Sequence, residues 1–211
     1  MEKCFSYEYK TYYSSLLPKA IRNKTDIIKT ILFICQIIIA EKSNEQMDGI
    51  IISINKNSRV FIKTGGNYFY SVVFPFTLSL ENNQPQIFYK TRKIDAMILS
   101  AVNCLINEVG EQSNIFDKLF ESDLYREYGY DIFAFVVDIY FHLLSFDDGY
   151  IRYEKDEERE NKEYHPLHHF DICYHNNSTY KLGLYNEISL NHFREIMDVT
   201  KQCWYVRQNK S

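Results

Sequence analysis

Residues 164–185 read YHPLHHFDICYHNNSTYKLGLY, and this stretch decides the C-terminal half of the fold. Residues 164–175 have strand character, Asn176-Asn177-Ser178 is a tight turn, and residues 179–185 form the return strand. Asparagine tolerates the left-handed backbone that a hairpin turn demands, so Asn-Asn between two apolar runs predicts a β-hairpin. Successive strand side chains point to opposite faces. In a regular strand one face carries His165, Leu167, His169, Asp171, Cys173 and His175. The other carries His168, Phe170, Ile172 and Tyr174, and is mostly core. Neighbours on one face lie roughly 7 Å apart. Pro166 cannot donate to a ladder, so it marks the start of the strand or an edge. A kink there would exchange the places of His165 and His168.

Four of the six histidines fall in these residues. Imidazole titrates near neutral pH, so His165 and His169 could serve as general acid and base, with Asp171 orienting one of them. Lys181 on the return strand could neutralise a phosphate or a developing oxyanion. Arg152, on the strand expected to pair with this one, could hold a phosphate, and His168 is a further substrate-binding candidate. These are the parts of a metal-independent ribonuclease, for which no cofactor is expected. Alternatively, His165, His169 and Asp171 could hold a divalent metal, although their spacing matches no standard zinc pattern. In a third reading the histidines are structural and simply hydrogen-bond within the sheet.

Working outward, the 211 residues are 45% hydrophobic and 16% aromatic, with only 7 glycines and 4 prolines. That composition excludes a disordered chain and supplies ample core. A net charge of −4 provides no global basic field, which weighs against a dedicated DNA reader but leaves room for a local groove. Five scattered cysteines without a CxxC read as reduced thiols, and the N-terminus lacks the shape of a signal peptide, so a cytoplasmic location is expected. Residues 27–40, IIKTILFICQIIIA, are too short and too polar to cross a bilayer of ~30 Å, and no membrane association is expected.

Residues 1–22 read as a short helix or an extended arm. Asn23 or Thr25 can cap a helix over about 26–42, buried on most sides. A period-two pattern then predicts an antiparallel meander of about four strands: GIIISIN, SRVFIKT, NYFYSVVFPFTLSL and PQIFYKT. Its Lys56, Arg59, Lys63, Lys90, Arg92 and Lys93 form either a solvated sheet face or a phosphate-contacting surface. Helices follow over 94–109 with one buried face, from Ser113 to about 128, and over 130–146, apolar nearly all round and containing His142. YIRY at 150–153 begins a strand, the charge run EKDEERENKE at 154–163 is a solvated loop, and Ser189 caps a last helix from 190 to about 202. The expected fold is α+β, an antiparallel β-meander plus a C-terminal β-hairpin packed against several helices. It forms a single domain over 1–211, with a sub-division into 1–93 and 94–211.

Tyr150-Ile151-Arg152-Tyr153, followed by a charged loop and then His165-Pro166-Leu167-His168-His169, resembles an uncharacterised family of small bacterial proteins. Its members carry an IRFDYD-like strand, an HPxxH strand, and a return strand leading into a terminal helix. The resemblance covers about the last third of the chain. The family's second histidine corresponds to His169 or His168, and its loop acid to Asp156, which is displaced here. Such proteins often sit among phage-defence and toxin genes. The resemblance therefore implies a toxin or immune effector acting on RNA. If the histidines are structural, the alternative is a non-catalytic binding or assembly subunit whose aromatic and basic surface holds a partner protein of a defence system, RNA or single-stranded nucleic acid.

Overall fold

The computed structural model describes residues 3–18, 21–43, 49–54, 58–64, 67–82, 84–109, 117–119, 122–162, 164–174 and 180–204. The first helix, α1 (Lys24–Ala40), is capped by Asn23, whose side chain accepts the Asp26 N–H at 2.8 Å. Satisfying that first-turn donor fixes where the helix starts. Ile27, Ile31, Ile34 and Cys35 are fully buried, as the nearly continuous apolar run requires.

Before α1 lies a strand, β1 (Lys3–Tyr7), and then a 3-10 turn over Thr11–Ser15. The described N-terminal residues thus combine an extended strand, held by the sheet, with a short 3-10 helix. β1 pairs antiparallel with β2 (Ile50–Ile54), which pairs with β3 (Arg59–Lys63), which pairs with β4 (Tyr68–Val73). The anticipated strand over 67–80 breaks at Phe74-Pro75-Phe76, because proline removes a ladder donor. Beyond the break, β5 (Thr77–Glu81), β6 (Gln84–Tyr89) and β7 (Arg92–Ile94) form a separate three-stranded sheet. His142 meets this corner by hydrogen bonding the Pro75 carbonyl at 3.0 Å, as a lone histidine in an apolar helix should.

Helices follow at α2 (Ala96–Val109), α3 (Leu124–Tyr128) and α4 (Tyr130–Ser145), and residues 117–119 are helical as well. α2 buries the expected face, although Met97 is exposed and Leu99 is buried in its stead. α4 is not buried all round. Only Val136, Ile139, Tyr140 and Leu143 are fully enclosed, one stripe at three-and-four spacing. The proposed Ser113 cap lies outside the described residues.

The chain then returns to the large sheet. β8 (Ile151–Lys155) pairs with β4, β9 (His168–Ile172) with β8, and β10 (Tyr180–Leu184) with β9, all antiparallel. The result is a seven-stranded sheet in the order β1-β2-β3-β4-β8-β9-β10, with strands from both sides of the 93/94 boundary. The α+β architecture with a meander and a C-terminal hairpin is the one expected. The strand after Pro166 is shorter than the anticipated 164–175, and its turn residues lie outside the described set, as does His175.

The sheet buries both faces over β1–β4. Ile50, Ile52, Val60, Ile62, Tyr70 and Val72 share a core with α1, α2 and α4. Ile51, Phe61, Phe69, Tyr153 and Phe170 face the other way, against the last helix α5 (Leu190–Ile196). Phe193 of α5 is fully enclosed, worth about 1.5–3 kcal/mol. Ser189 caps α5 by accepting the His192 N–H at 3.1 Å, as anticipated, but the helix ends at Ile196 rather than near 202. Among the described residues no helix is long and apolar enough to cross a membrane, and none of the five cysteines is in a disulfide.

Candidate functional site

Strand alternation sends His169 and Asp171 to one face of the sheet and His168, Phe170 and Ile172 to the other. Two cross-strand rows then form on the first face. In one, Arg152 of β8, Asp171 of β9 and Lys181 of β10 stand side by side. In the next, Glu154, His169 and Gly183 are opposite one another. Cross-strand neighbours have Cβ atoms about 5 Å apart, so these side chains must interact.

Every member of the cluster has partners. Lys181 Nζ lies 2.8 Å from His169 Nε2 and donates to Asp171 Oδ1 at 2.7 Å. Arg152 Nη2 donates to Glu154 Oε1 at 2.5 Å, and its guanidinium sits 4.7 Å from the centre of the Tyr68 ring. His169 Nδ1 lies 2.8 Å from the Pro166 carbonyl oxygen. A carbonyl can only accept, so Nδ1 carries the proton. Nε2 then presents its lone pair to the lysine ammonium, and His169 is neutral. Burial holds its pKa below the ordinary histidine range. The Pro166 carbonyl, Asp171 and Glu154 work the other way, while the Lys181 charge adds to the depression.

Gly183 makes this arrangement possible. A Cβ there would lie 2.8 Å from Pro166 Cγ, so the absent side chain is what lets Pro166 pack on β10 and cover His169. Segment 156–167 is fastened at further points. The Asp156 N–H donates to the Leu167 carbonyl at 2.9 Å, and Asn161 bridges to His165. Arg159 Nε lies 2.7 Å from Asp156 Oδ2, and His165 Nε2 lies 3.1 Å from the same oxygen, out of line for a hydrogen bond. Burial works to raise the Asp156 carboxyl, but the Arg159 N–H and guanidinium and the charge of His165 together carry it below the usual range. The charge run at 154–163 is thus not wholly a solvated loop: Asp156 is buried and Glu154 half-buried, because both belong to this network.

Of the six residues anticipated from sequence, Arg152, His165, His169, Asp171 and Lys181 come together. The His165 and His169 rings meet edge to face at 5.0 Å, although His165 precedes the strand proper. His168 does not join them. It faces the opposite core, where its Nδ1 lies 2.8 Å from the Tyr153 hydroxyl. The metal set also differs from the expected one. Glu154, His169 and Asp171 have ligand atoms within 4.8 Å of one another, and Lys181 Nζ already contacts two of the three residues. His165 is turned to Asp156 instead. Sequence reading missed Glu154 by assigning it to the charged loop, although its place two residues after Arg152 puts it on the same strand face.

The arrangement is charge-balanced, with its histidine enclosed and Lys181 and Arg159 at the surface. Arg152, Arg159 and Lys181 face Glu154, Asp156 and Asp171, and His169 is 0% exposed. A cavity of about 450 Å³ lies at the far end of β8 and β9, lined by Asp148, Tyr150, Cys173, Tyr174 and Met197 among others, and by none of the six residues above. Of the meander cations, Arg59 and Lys63 lie on β3 of the large sheet, and Lys90, Arg92 and Lys93 lie in or beside β6 and β7 of the small one. Arg59 donates to Ser71 and to the Gly149 carbonyl, Lys90 pairs with Asp138, and Lys93 with Glu81. Arg92 lies over Phe135, and Lys56 is outside the described residues. Comparison with protein-family models, curated proteins and solved structures finds no match to this chain.

Proposed function

We propose that the protein is a non-catalytic binding or assembly subunit, in which the histidine–carboxylate–lysine cluster fastens segment 156–167 to the sheet. The observation that carries this reading is the state of His169: fully enclosed, with Nδ1 on the Pro166 carbonyl and Nε2 on Lys181. An acid/base group must reach the proton it transfers. The guanidinium and ammonium groups are already neutralised by carboxylates, which removes most of their pull on a phosphate. The resemblance of the last third to defence-associated bacterial proteins supports placing the subunit in a defence complex.

A second reading is favoured by the convergence of five ionisable side chains from three strands, since such clusters are enriched at reaction centres. In it the protein is a nuclease acting on RNA. Segment 156–167 lifts from Gly183, His165 and His169 act as acid and base, Asp171 orients, and Arg152 and Lys181 hold phosphate. The test is cleavage of total RNA and single-stranded DNA by the purified protein, with and without EDTA, beside a His169→Ala variant of verified fold. The binding-subunit reading expects no cleavage in any arm. Cleavage that survives EDTA and is lost in the variant would overturn it in favour of the nuclease, and cleavage abolished by EDTA would point to metal chemistry.

A further inference from the structure

The outer edge of β10 stands apart from the other edge of the same sheet. β1 has Phe5, Ser6 and Tyr7 buried. In β10, Tyr180, Lys181 and Gly183 are exposed, and among the described residues no strand pairs on its outer side. Proteins guard such edges with outward-pointing lysines, prolines or covering loops, because an open row of N–H and C=O groups templates further pairing. Here the one lysine of β10 is spent inward, its ammonium bound to Asp171 and His169. Large aromatic rings stand beside the edge. Tyr180 is 59% exposed, Tyr185, just beyond the strand, is 91% exposed, and Tyr164, two residues before Pro166 on Gly183, is 90% exposed. Rigid, amphipathic tyrosines are the side chains that protein interfaces favour.

The surroundings also select a partner by charge. With Glu154 and Asp156 turned into the network, the described surface of segment 154–163 presents Glu157, Glu158 and Glu160 beside Arg159 and Lys162. Glu158, Glu160 and Glu187 are exposed, and Glu187 is close enough to Lys155 and Tyr153 to perturb both. These acids lie at the Leu184 end of β10, since Leu184 pairs with His168 and His168 with Lys155. A second copy of this chain would bring the same acids and an overall charge of −4 against them, and like charges across an interface are unfavourable.

We infer that the β10 edge is a strand-addition surface that takes an extended, basic segment of a partner protein. Main-chain hydrogen bonds to β10 supply the register, Tyr164, Tyr180 and Tyr185 the apolar contacts, and the acidic rim the preference for lysine and arginine. This rests on the binding-subunit reading and specifies its partner.

The test uses the full chain and a synthetic peptide of alternating lysine and valine, read by fluorescence anisotropy and by amide hydrogen exchange. Controls are the same peptide interrupted by proline, and a glutamate-for-lysine version. Expected are binding of the lysine–valine peptide with slowed exchange in Tyr180–Leu184, and binding at least about tenfold weaker for both controls and for the Tyr180→Ser/Tyr185→Ser variant. Both tyrosines are exposed, so the variant should keep its fold. Equal binding of the proline-interrupted peptide, slowed exchange on β1 or nowhere, or a dimer in sedimentation that the tyrosine variant dissolves would overturn the inference. Failure here with no nuclease activity leaves the binding-subunit reading standing, whereas RNA cleavage defeats that reading whatever the peptide does.

Discussion

Replacing His169 by alanine is the most informative single change. The imidazole is fully enclosed, bonds the Pro166 carbonyl through Nδ1 and accepts Lys181 at Nε2. Removing it deletes two hydrogen bonds of about 1 kcal/mol each, leaves a covered carbonyl without a donor, and opens a cavity under Pro166. Together these amount to about 3 kcal/mol. For an ordinary urea dependence of about 2 kcal/mol per molar, the unfolding midpoint should fall by about 1.5 M. Hydrogen exchange in segment 156–167 should accelerate more than in β1–β4. His169→Asn, whose amide can still donate toward the Pro166 carbonyl, should recover part of the loss. The pH dependence carries the sign. A base whose pKa is depressed by folding binds protons more readily in the unfolded chain. Its contribution is therefore complete above the unfolded value of 6.5 and declines as pH falls through the lower folded value. Wild-type stability should drop on acidification below about pH 6.5, and the Asn variant should lack that component. An unchanged urea midpoint in His169→Ala, or an identical acid slope in wild type and Asn variant, would refute the account of His169 as a neutral, buried fastening.

Other changes probe the same construction. Gly183→Ala puts a methyl 2.8 Å from Pro166 Cγ and should cost about 1–3 kcal/mol in chemical denaturation; combining it with Pro166→Ala should recover much of that, as a double-mutant cycle would reveal. Tyr153→Phe removes the 2.8 Å contact to His168 and should lower stability by about 1 kcal/mol without altering peptide binding at β10, because Tyr153 is enclosed in the core and lies on β8, two strands in from that edge. Lys181→Met withdraws the cation from between His169 and Asp171; calorimetric titration should then show tighter manganese or zinc binding than in wild type, and equal affinity would rule out Glu154, His169 and Asp171 as a latent metal set. Gly49→Ala, at φ 97° with the new methyl 2.7 Å from the Tyr9 nitrogen, should be among the most damaging substitutions, visible as loss of soluble folded protein.

Much of the local structure was legible in the sequence because it follows from local rules. Alternation alone put His169 and Asp171 on one face and His168 on the other, and capping chemistry narrowed the start of α1 to Asn23 or Thr25, of which the fold uses Asn23, and placed α5 after Ser189. The three-and-four spacing of residues 98–109 gave the buried face of α2. The tertiary structure decided what those rules cannot reach. Residues 3–7 gain strand structure only by pairing with β2. Pro75 sends β5 into another sheet because a partner sheet exists to receive it. Glu154 leaves the charged run because Arg152 beside it and His169 across the ladder give its carboxylate a place. His169 is a plausible catalyst in sequence and an enclosed hydrogen-bonding residue in the fold, since its burial depends on Pro166 resting on a glycine of a different strand. Periodicity is a property of the backbone and can be read along the chain. Burial and charge pairing are properties of neighbours distant in sequence, and they exist only once the sheet has closed.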